Sequence, residues 1–174
     1  MTDRPDPKTL DALFRPRSIA IIGASSDPRK IGGRPVNFLK RAGFKGAIIP
    51  INPGSAEVQG LKAYPRIEDA PDGIDQAIVA VPAGMAMAAV EGGIARGVRA
   101  IVMFSAGFGE IDEKGLHAQR AIAARCREAG VRLLGPNALG IMNQADGVFS
   151  TFSASLEQHW PKPGNIAVAS QSGA

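Results

Sequence analysis

Five short apolar runs recur along the chain at roughly the thirty-residue spacing of a βαβ unit: Ser18 to Ile22, Ala47 to Ile51, Gln76 to Val81, Ala100 to Phe104 and Val131 to Leu134. Each is long enough for a buried strand and too short for a helix. Between them, apolar residues return at helical spacing. Pro35, Phe38, Leu39 and Ala42 form one stripe, with Pro35 suited to a first turn and Gly43 to the stop. Ala83, Ala86, Val90, Ile94 and Gly97 form a second. The third runs Ile111, Gly115, Ala118, Ile122, Cys126 and Ala129, while Lys114, Arg120, Arg127 and Glu128 fall mainly elsewhere on the wheel, and Gly130 ends it. RGVRAIV and AGVRLLG share one grammar, a glycine stop, a short turn and a buried strand. The alternation predicts an α/β fold: a doubly wound, mostly parallel sheet with helices on both faces.

The pattern weakens in three places. NPGSAEVQGLKAYPRIEDAPDGID is dense in turn formers, with weak helical pieces around Ala56 and Ile67, and reads as an irregular crossover. Leu10, Leu13 and Phe14 suggest a short helix on the sheet edge. WPKPGNIAVASQSGA reads as a proline-rich linker, a strand from Asn165 to Ala169 and a polar turn, so residues 1–160 are expected to form one domain and 161–174 to lead into a second, with the chain cut from something longer.

Composition narrows the chemistry. The chain of 174 residues, 45% hydrophobic and 21% charged, suits one well-buried core. No apolar run approaches the ~18–20 residues of a membrane span, and MTDRPDPK lacks the apolar stretch of a secretory signal, so a cytoplasmic protein is expected. One cysteine, Cys126, excludes an internal disulfide framework and, with only His117 and His159 beside it, argues against a metal site. A net charge of +4 scattered over helical segments favours an anionic small molecule over nucleic acid.

In an open parallel sheet, ligands gather beyond the carboxyl ends of the strands. The loops expected there, GASSDPRKIGG, NPGS, PAG, SAGFGE and GPNALG, are rich in glycine, proline, serine or asparagine. Glycine admits close backbone approach, and serine and asparagine add neutral hydrogen bonds. The first loop carries phosphate-binding logic: Ser25 and Ser26 donate hydroxyls, Arg29 and Lys30 bring charge, and Gly32 with Gly33 opens a helix whose amides favour an anion. It lacks G-x-G-x-x-G and contains Pro28; Asn52 and Pro53 stand where an NAD site commonly places an acid. Elsewhere, Cys126 reads as a buried inert thiol, Met85 and Met87 as helix packing, and Glu110 and Asp112 as acids enriched at a helix start.

In order, IAIIGASSDPRKIG, IIPINP, GLKAYPRIED, IVAVPA, FSAGFGE, GPNALGIMN and NIAVASQSGA resemble the N-terminal part of the NDP-forming acyl-CoA synthetases, relatives of the succinyl-CoA synthetase alpha subunit. The resemblance runs from Leu13 to Ala174 and implies a Rossmann-like domain that binds coenzyme A or acyl-CoA. It implies that Gly23, Ser25, Ser26, Arg29, Lys30 and Gly32 belong to the turn cradling the CoA phosphates, with Asn52 and Pro53 beside the adenosine. Val81 and Pro82 line the groove, Ser105, Ala106 and Gly107 face the pantetheine arm, and Asn137 fixes the neighbouring loop. Relatives often place lysine after the N-P pair; here Gly54 and Ser55 follow, leaving Arg29, Lys30 or Arg34 to meet a phosphate. Many have cysteine where Ala138 stands. The implied reaction joins a carboxylic acid to CoA with ATP giving ADP and phosphate, through an acyl phosphate. Its phosphohistidine domain, for which Ser172 and Gly173 match the helix start, and its ATP-grasp portion lie outside this chain, in the same protein or a partner subunit. Without them the chain alone is not expected to run the ligation. A CoA-sensing regulatory module of a protein acetyltransferase and an NAD-binding redox module remain as alternatives.

Overall fold

The computed structural model describes residues 7–171. Its elements in chain order are α1 (Pro7–Phe14), β1 (Ser18–Ile22), α2 (Arg34–Arg41), β2 (Ala47–Ile51), β3 (Glu57–Val58), β4 (Leu61–Lys62), β5 (Gln76–Val79), α3 (Ala83–Ala95), β6 (Ala100–Met103), α4 (Glu113–Glu128), β7 (Arg132–Leu134), β8 (Gly140–Asn143), β9 (Val148–Thr151) and α5 (Ser155–Gln158). Five strands form a parallel sheet in the order β2-β1-β5-β6-β7. The first two lie where the apolar runs place them. β5 and β6 stop at Val79 and Met103, leaving Val81 and Phe104 to the loops.

The central strands are buried on both faces, so their side chains divide by parity. Ile19, Ile21, Ile78, Ala100 and Val102 point to one core with Ala12, Leu13, Val36, Phe38, Leu39, Val148, Phe149 and Leu156. Ala20, Ile22, Ala77, Val79, Ile101 and Met103 point to the other with Ala86, Val90, Ile122 and Cys126. The first face is thus covered by α1, α2, α5 and an antiparallel β8–β9 hairpin, the second by α3, α4 and a short turn of 3₁₀ helix at Ile67–Asp69. Pro50 is tolerated because β2 is the edge strand of the sheet, and the Tyr64 segment that lines its outer side calls on the Pro50 carbonyl and the Asn52 amide, so the missing Pro50 N–H costs no ladder bond.

Several expectations change. Helix α1 packs over β6 and β7 on the sheet face, not on its edge, because buried Gln76 of β5 donates to the Ala12 and Leu13 carbonyls and accepts from the Ser150 hydroxyl. Ile111 lies outside α4 and is 70% exposed, since the Asp112 carboxylate caps the helix by accepting from the Gly115 amide at 2.6 Å. Ala56 precedes a tight β3–β4 hairpin, not a helical piece. Residues 165–169 form no strand among the described residues; Ile166 and Val168 are 85% and 86% exposed, because no other strand lies beside them to complete a ladder. Ser172 and Gly173 lie outside the described residues.

At the amino end of the sheet Asp75, 4% exposed, accepts from the Arg17 amide at 2.8 Å, its Nε at 3.3 Å and an Arg99 guanidinium nitrogen at 2.6 Å. Burial alone would raise this carboxyl, but the Arg17 amide and the two guanidinium groups outweigh it and hold Asp75 below the usual range. A lowered folded pKa means stability that is full above the unfolded value of about 4 and lost as pH falls through the folded one. Asp75→Asn is expected to lower stability at pH 7 by ~1–3 kcal/mol and to flatten the loss below pH 4. Melting curves from pH 2 to 7 check both; a variant that follows the wild-type pH profile sinks the assignment.

Candidate functional site

The chain leaves β1 for α2 on one face of the sheet and leaves β5 for α3 on the other. Adjacent strands that diverge in this way open a crevice at their carboxyl ends. The loop after β1 enters it through Gly23, whose φ of +89° places it in the left-handed region. A Cβ there would stand 2.5 Å from the Ala80 carbonyl oxygen, so only glycine lets the β1 and β5 loops meet. The loop then folds back on itself: a Cβ on Gly32 would lie 1.9 Å from the Gly23 oxygen.

Its hydrogen bonds show what remains for a ligand. The Gly23 and Ala24 amides share the Ile51 carbonyl, tying the loop to β2. Ser25 donates its amide to the Gly32 carbonyl at 3.3 Å and accepts from the Asp27 amide through its hydroxyl. The Lys30 carbonyl takes the amides of Gly33 and Arg34, and Pro35 has none, so the first turn of α2 presents fewer amides than its glycine pair suggests. The amides of Ser26, Ile31 and Gly32 have no acceptor among the described residues.

The cations differ. Arg29 grips Asp27 through Nε and a terminal nitrogen at 3.2 and 3.3 Å, which holds the Asp27 carboxyl below its ordinary value and raises the guanidinium. Arg34 bonds Glu157 at 3.0 Å and the Phe152 carbonyl, with only 20% of its side chain exposed. Lys30 is exposed and makes no ion pair among the described residues. It is the loop cation that meets an incoming anion without first giving up a carboxylate.

The other expected residues divide into braces and open positions. Asn52 spends its carboxamide internally, donating to the Ala24 carbonyl at 2.8 Å and accepting from the Gly54 amide at 2.7 Å; Pro53 is exposed beside it. Ser105 is buried and donates to the Val81 carbonyl at 2.5 Å, binding the β6 loop to the β5 loop. Pro82, Ala106 and Gly107 are exposed on the same rim, and Val81 is half-buried. Asn137 sits at φ +52° and donates its backbone amide to the Ser105 carbonyl at 2.9 Å, fixing the neighbouring loop by main chain. The rim therefore brings together the loops after β1, β2, β5, β6 and β7.

Two features escaped the sequence. Glu110 is no helix-start acid: its carboxylate accepts from the Gly107 and Phe108 amides at 2.6 and 3.1 Å, and these bonds hold it below the usual range. Gln59, at the tip of the β3–β4 hairpin, reaches the β1 loop, and Lys40 of α2 donates to the Gln59 carbonyl. The signal available was the Gln-Gly pair between Val58 and Leu61, a two-residue hairpin turn. Cys126 is 1% exposed and burial pushes its thiol up to about 11, so it is inert as expected. Two open grooves lie elsewhere, one of about 460 Å³ near Arg17, Ile48, Tyr64 and Asp72, and neither is lined by the β1 loop. Among the described residues no group of acids, histidines and cysteine could hold a metal, and no helix is long and apolar enough to cross a membrane.

The sequence model of a family described as a CoA binding domain matches residues 17–144, from the residue before β1 to the turn after β8. The chain belongs to the CoA binding domain family. Coenzyme A is accordingly the cofactor of this domain. The chain is 38% identical over 164 residues to an ADP-forming acetate–CoA ligase II of Archaeoglobus fulgidus, covering 94% of this chain and 24% of that protein. It is 38% identical over 165 residues to the alpha subunit of an ADP-forming acetate–CoA ligase II of Pyrococcus furiosus, covering 95% and 35%. An acetyl-coenzyme A synthetase of Ca. Korarchaeum cryptofilum, solved with phosphate and ADP, superposes with a TM-score of 0.78 at 36% identity, over 82% of this chain and 30% of that one. The chain thus spans about a quarter to a third of the length of these three relatives, in which the matched part belongs to a larger protein or subunit.

Proposed function

We propose that this CoA binding domain is the CoA-binding portion of an ADP-forming acyl-CoA synthetase, and that the β1 loop holds CoA phosphates. One observation carries the reading: the amides of Ser26, Ile31 and Gly32, without acceptors among the described residues, and Lys30, without an ion pair among them, share a loop at the switch point of the sheet. Backbone amides with one free cation are the equipment for a phosphate. The exposed Pro82, Ala106 and Gly107 with half-buried Val81 supply a path of uncharged side chains for the pantetheine arm, with the Gly107 amide already taken by the Glu110 carboxylate. An NAD site is disfavoured because Asn52, at the end of β2, has both carboxamide atoms committed to backbone and offers no carboxylate to a ribose diol.

The overall reaction converts a carboxylate, CoA and ATP to acyl-CoA, ADP and phosphate through an acyl phosphate. In it this chain binds and orients the thiol carrier, while the phosphohistidine and the ATP-grasp portion belong to other parts of the protein or a partner subunit. Residues 1–160 form the CoA-binding unit and 161–174 lead into the next. The ligase names of the relatives, over 94–95% of this chain, favour this reading over a regulatory module.

Calorimetry with CoA and dephospho-CoA tests it. CoA is expected to bind, and loss of the 3′-phosphate to weaken binding about tenfold, the scale of one charge-assisted hydrogen bond. Undetectable binding of both ligands would overturn the proposal.

A further inference from the structure

Gln59 stands 26 and 34 residues away from the two ends of the β1 loop, yet its carboxamide nitrogen lies 2.9 Å from both the Ser25 and the Gly33 carbonyl oxygens. One NH₂ group has two protons, and here each has its own acceptor. The loop between those carbonyls contains Ser26, Arg29, Lys30 and Gly32. We propose that Gln59 is a positioning residue for CoA binding, a clasp that closes the β1 loop and aims its unpaired amides at the ligand; this rests on the reading that the loop holds CoA phosphates.

The backbone of Gln59 supports the assignment independently. Gln59 and Gly60 form the two-residue turn between β3 and β4, with φ of +51° and +80°. Such a turn requires left-handed backbone at both positions and favours Asn, Asp or Gly at the first. Gln59 occupies a region that few residues other than glycine adopt. A side chain one methylene longer than asparagine is the feature that lets this turn reach across to the loop. Its carbonyl is held in turn by the Lys40 ammonium, so the hairpin tip is anchored to the helix that follows the loop.

Peptide geometry explains how the clasp acts on the ligand side. In a trans peptide the C=O and the next N–H point in opposite directions. Fixing the Ser25 carbonyl toward Gln59 therefore turns the Ser26 N–H away from the hairpin, and that amide has no acceptor among the described residues. Holding the Gly33 carbonyl as well keeps the two ends of the loop together, alongside the Ser25–Gly32 backbone bond. Preorganisation of this kind removes an ordering cost from binding.

The test compares wild type, Q59A and Q59E by calorimetry with CoA, each variant relative to wild type at the same pH. Q59A is expected to bind about tenfold more weakly, since the Ser25 carbonyl loses its donor, the Gly33 carbonyl keeps only the Asn37 amide of α2, and the loop must order on binding. Q59E is expected to bind more weakly still at pH 8, where its carboxylate faces two carbonyl oxygens, and to recover toward pH 5 as those oxygens favour the protonated, donating form. A merely space-filling role would not produce that pH dependence. Wild type gives a readout that needs no variant: the Gln59 side-chain amide protons should exchange slowly in NMR spectra, unlike those of exposed Gln158. Both variants binding within twofold of wild type at both pH values, or fast exchange of the Gln59 amide protons, would overturn the clasp. Failure of wild type to bind CoA would instead overturn the ligand reading, with slow exchange of the Gln59 protons still marking the clasp as formed.

Discussion

Gly32→Ala is expected to cost ~3 kcal/mol or more of stability and to weaken CoA binding more than tenfold. The added Cβ would stand 1.9 Å from the Gly23 carbonyl oxygen and 2.9 Å from its carbon. Neither is the end of a flexible side chain that could swing aside. Gly23 is itself confined by the Ala80 carbonyl, and its amide is bonded to Ile51, so the strain passes from the β1 loop into β5 and β2. Relief comes only if the loop opens, which pulls the Ser26 and Ile31 amides out of their arrangement. Gly93→Ala, in the interior of α3 and away from the rim, is the control: the nearest atoms to its added Cβ lie 3.8–3.9 Å away, at ordinary contact distance, and a helical glycine replaced by alanine gains up to about 1 kcal/mol. Thermal melts and calorimetry with CoA check the pair; a Gly32→Ala chain that melts and binds like wild type would show that the loop is not packed as described.

Phe149→Ala should lower stability by ~3–5 kcal/mol, the usual cost of removing a buried aromatic ring, and the melting temperature by roughly 10 °C or more in a chain of this size. Phe149 is 1% exposed on β9 and stacks on Trp160 with centroids 4.5 Å apart and planes 17° from parallel. Phe38 meets the same indole edge-on at 6.0 Å, and the Arg41 guanidinium lies 4.2 Å from its ring centre. The ring thus joins the hairpin, α2 and the segment after α5. Trp160 is the sole tryptophan, so its emission reports on the site directly and is expected to shift to the red as the indole becomes wetter. Ile166→Ala, at an 85% exposed position, should leave the melt unchanged. An unaltered melt and emission in Phe149→Ala would remove the hairpin from the core.

The elements that stood out in the chain are those whose burial is uniform and whose ends carry turn chemistry. β1 is five buried residues running into Gly23, and α2 ends beside Gly43 at φ +67°, so strand and helix stop are visible locally. The β8–β9 hairpin is not, because Gly140 to Asn143 are half-buried or exposed without alternation; its place depends on the sheet face it covers. The two-residue strands β3 and β4 are too short to show any period.

For the site, residue types along the chain determined which bends belong to one rim, since a buried parallel strand must deliver its following loop to the same edge as its neighbours. Only the tertiary structure decided which polar atoms at that rim are already spent. Asn52 and Ser105 are consumed as braces, Glu110 takes two loop amides, Arg34 is held by Glu157, and Gln59 crosses from a distant hairpin to close the loop. Apart from the Glu110 bonds, which span two and three residues, these bonds join residues at least 24 positions apart in the chain, and a hydrogen bond forms only where folding brings donor and acceptor within about 3 Å, so no local pattern could have assigned them.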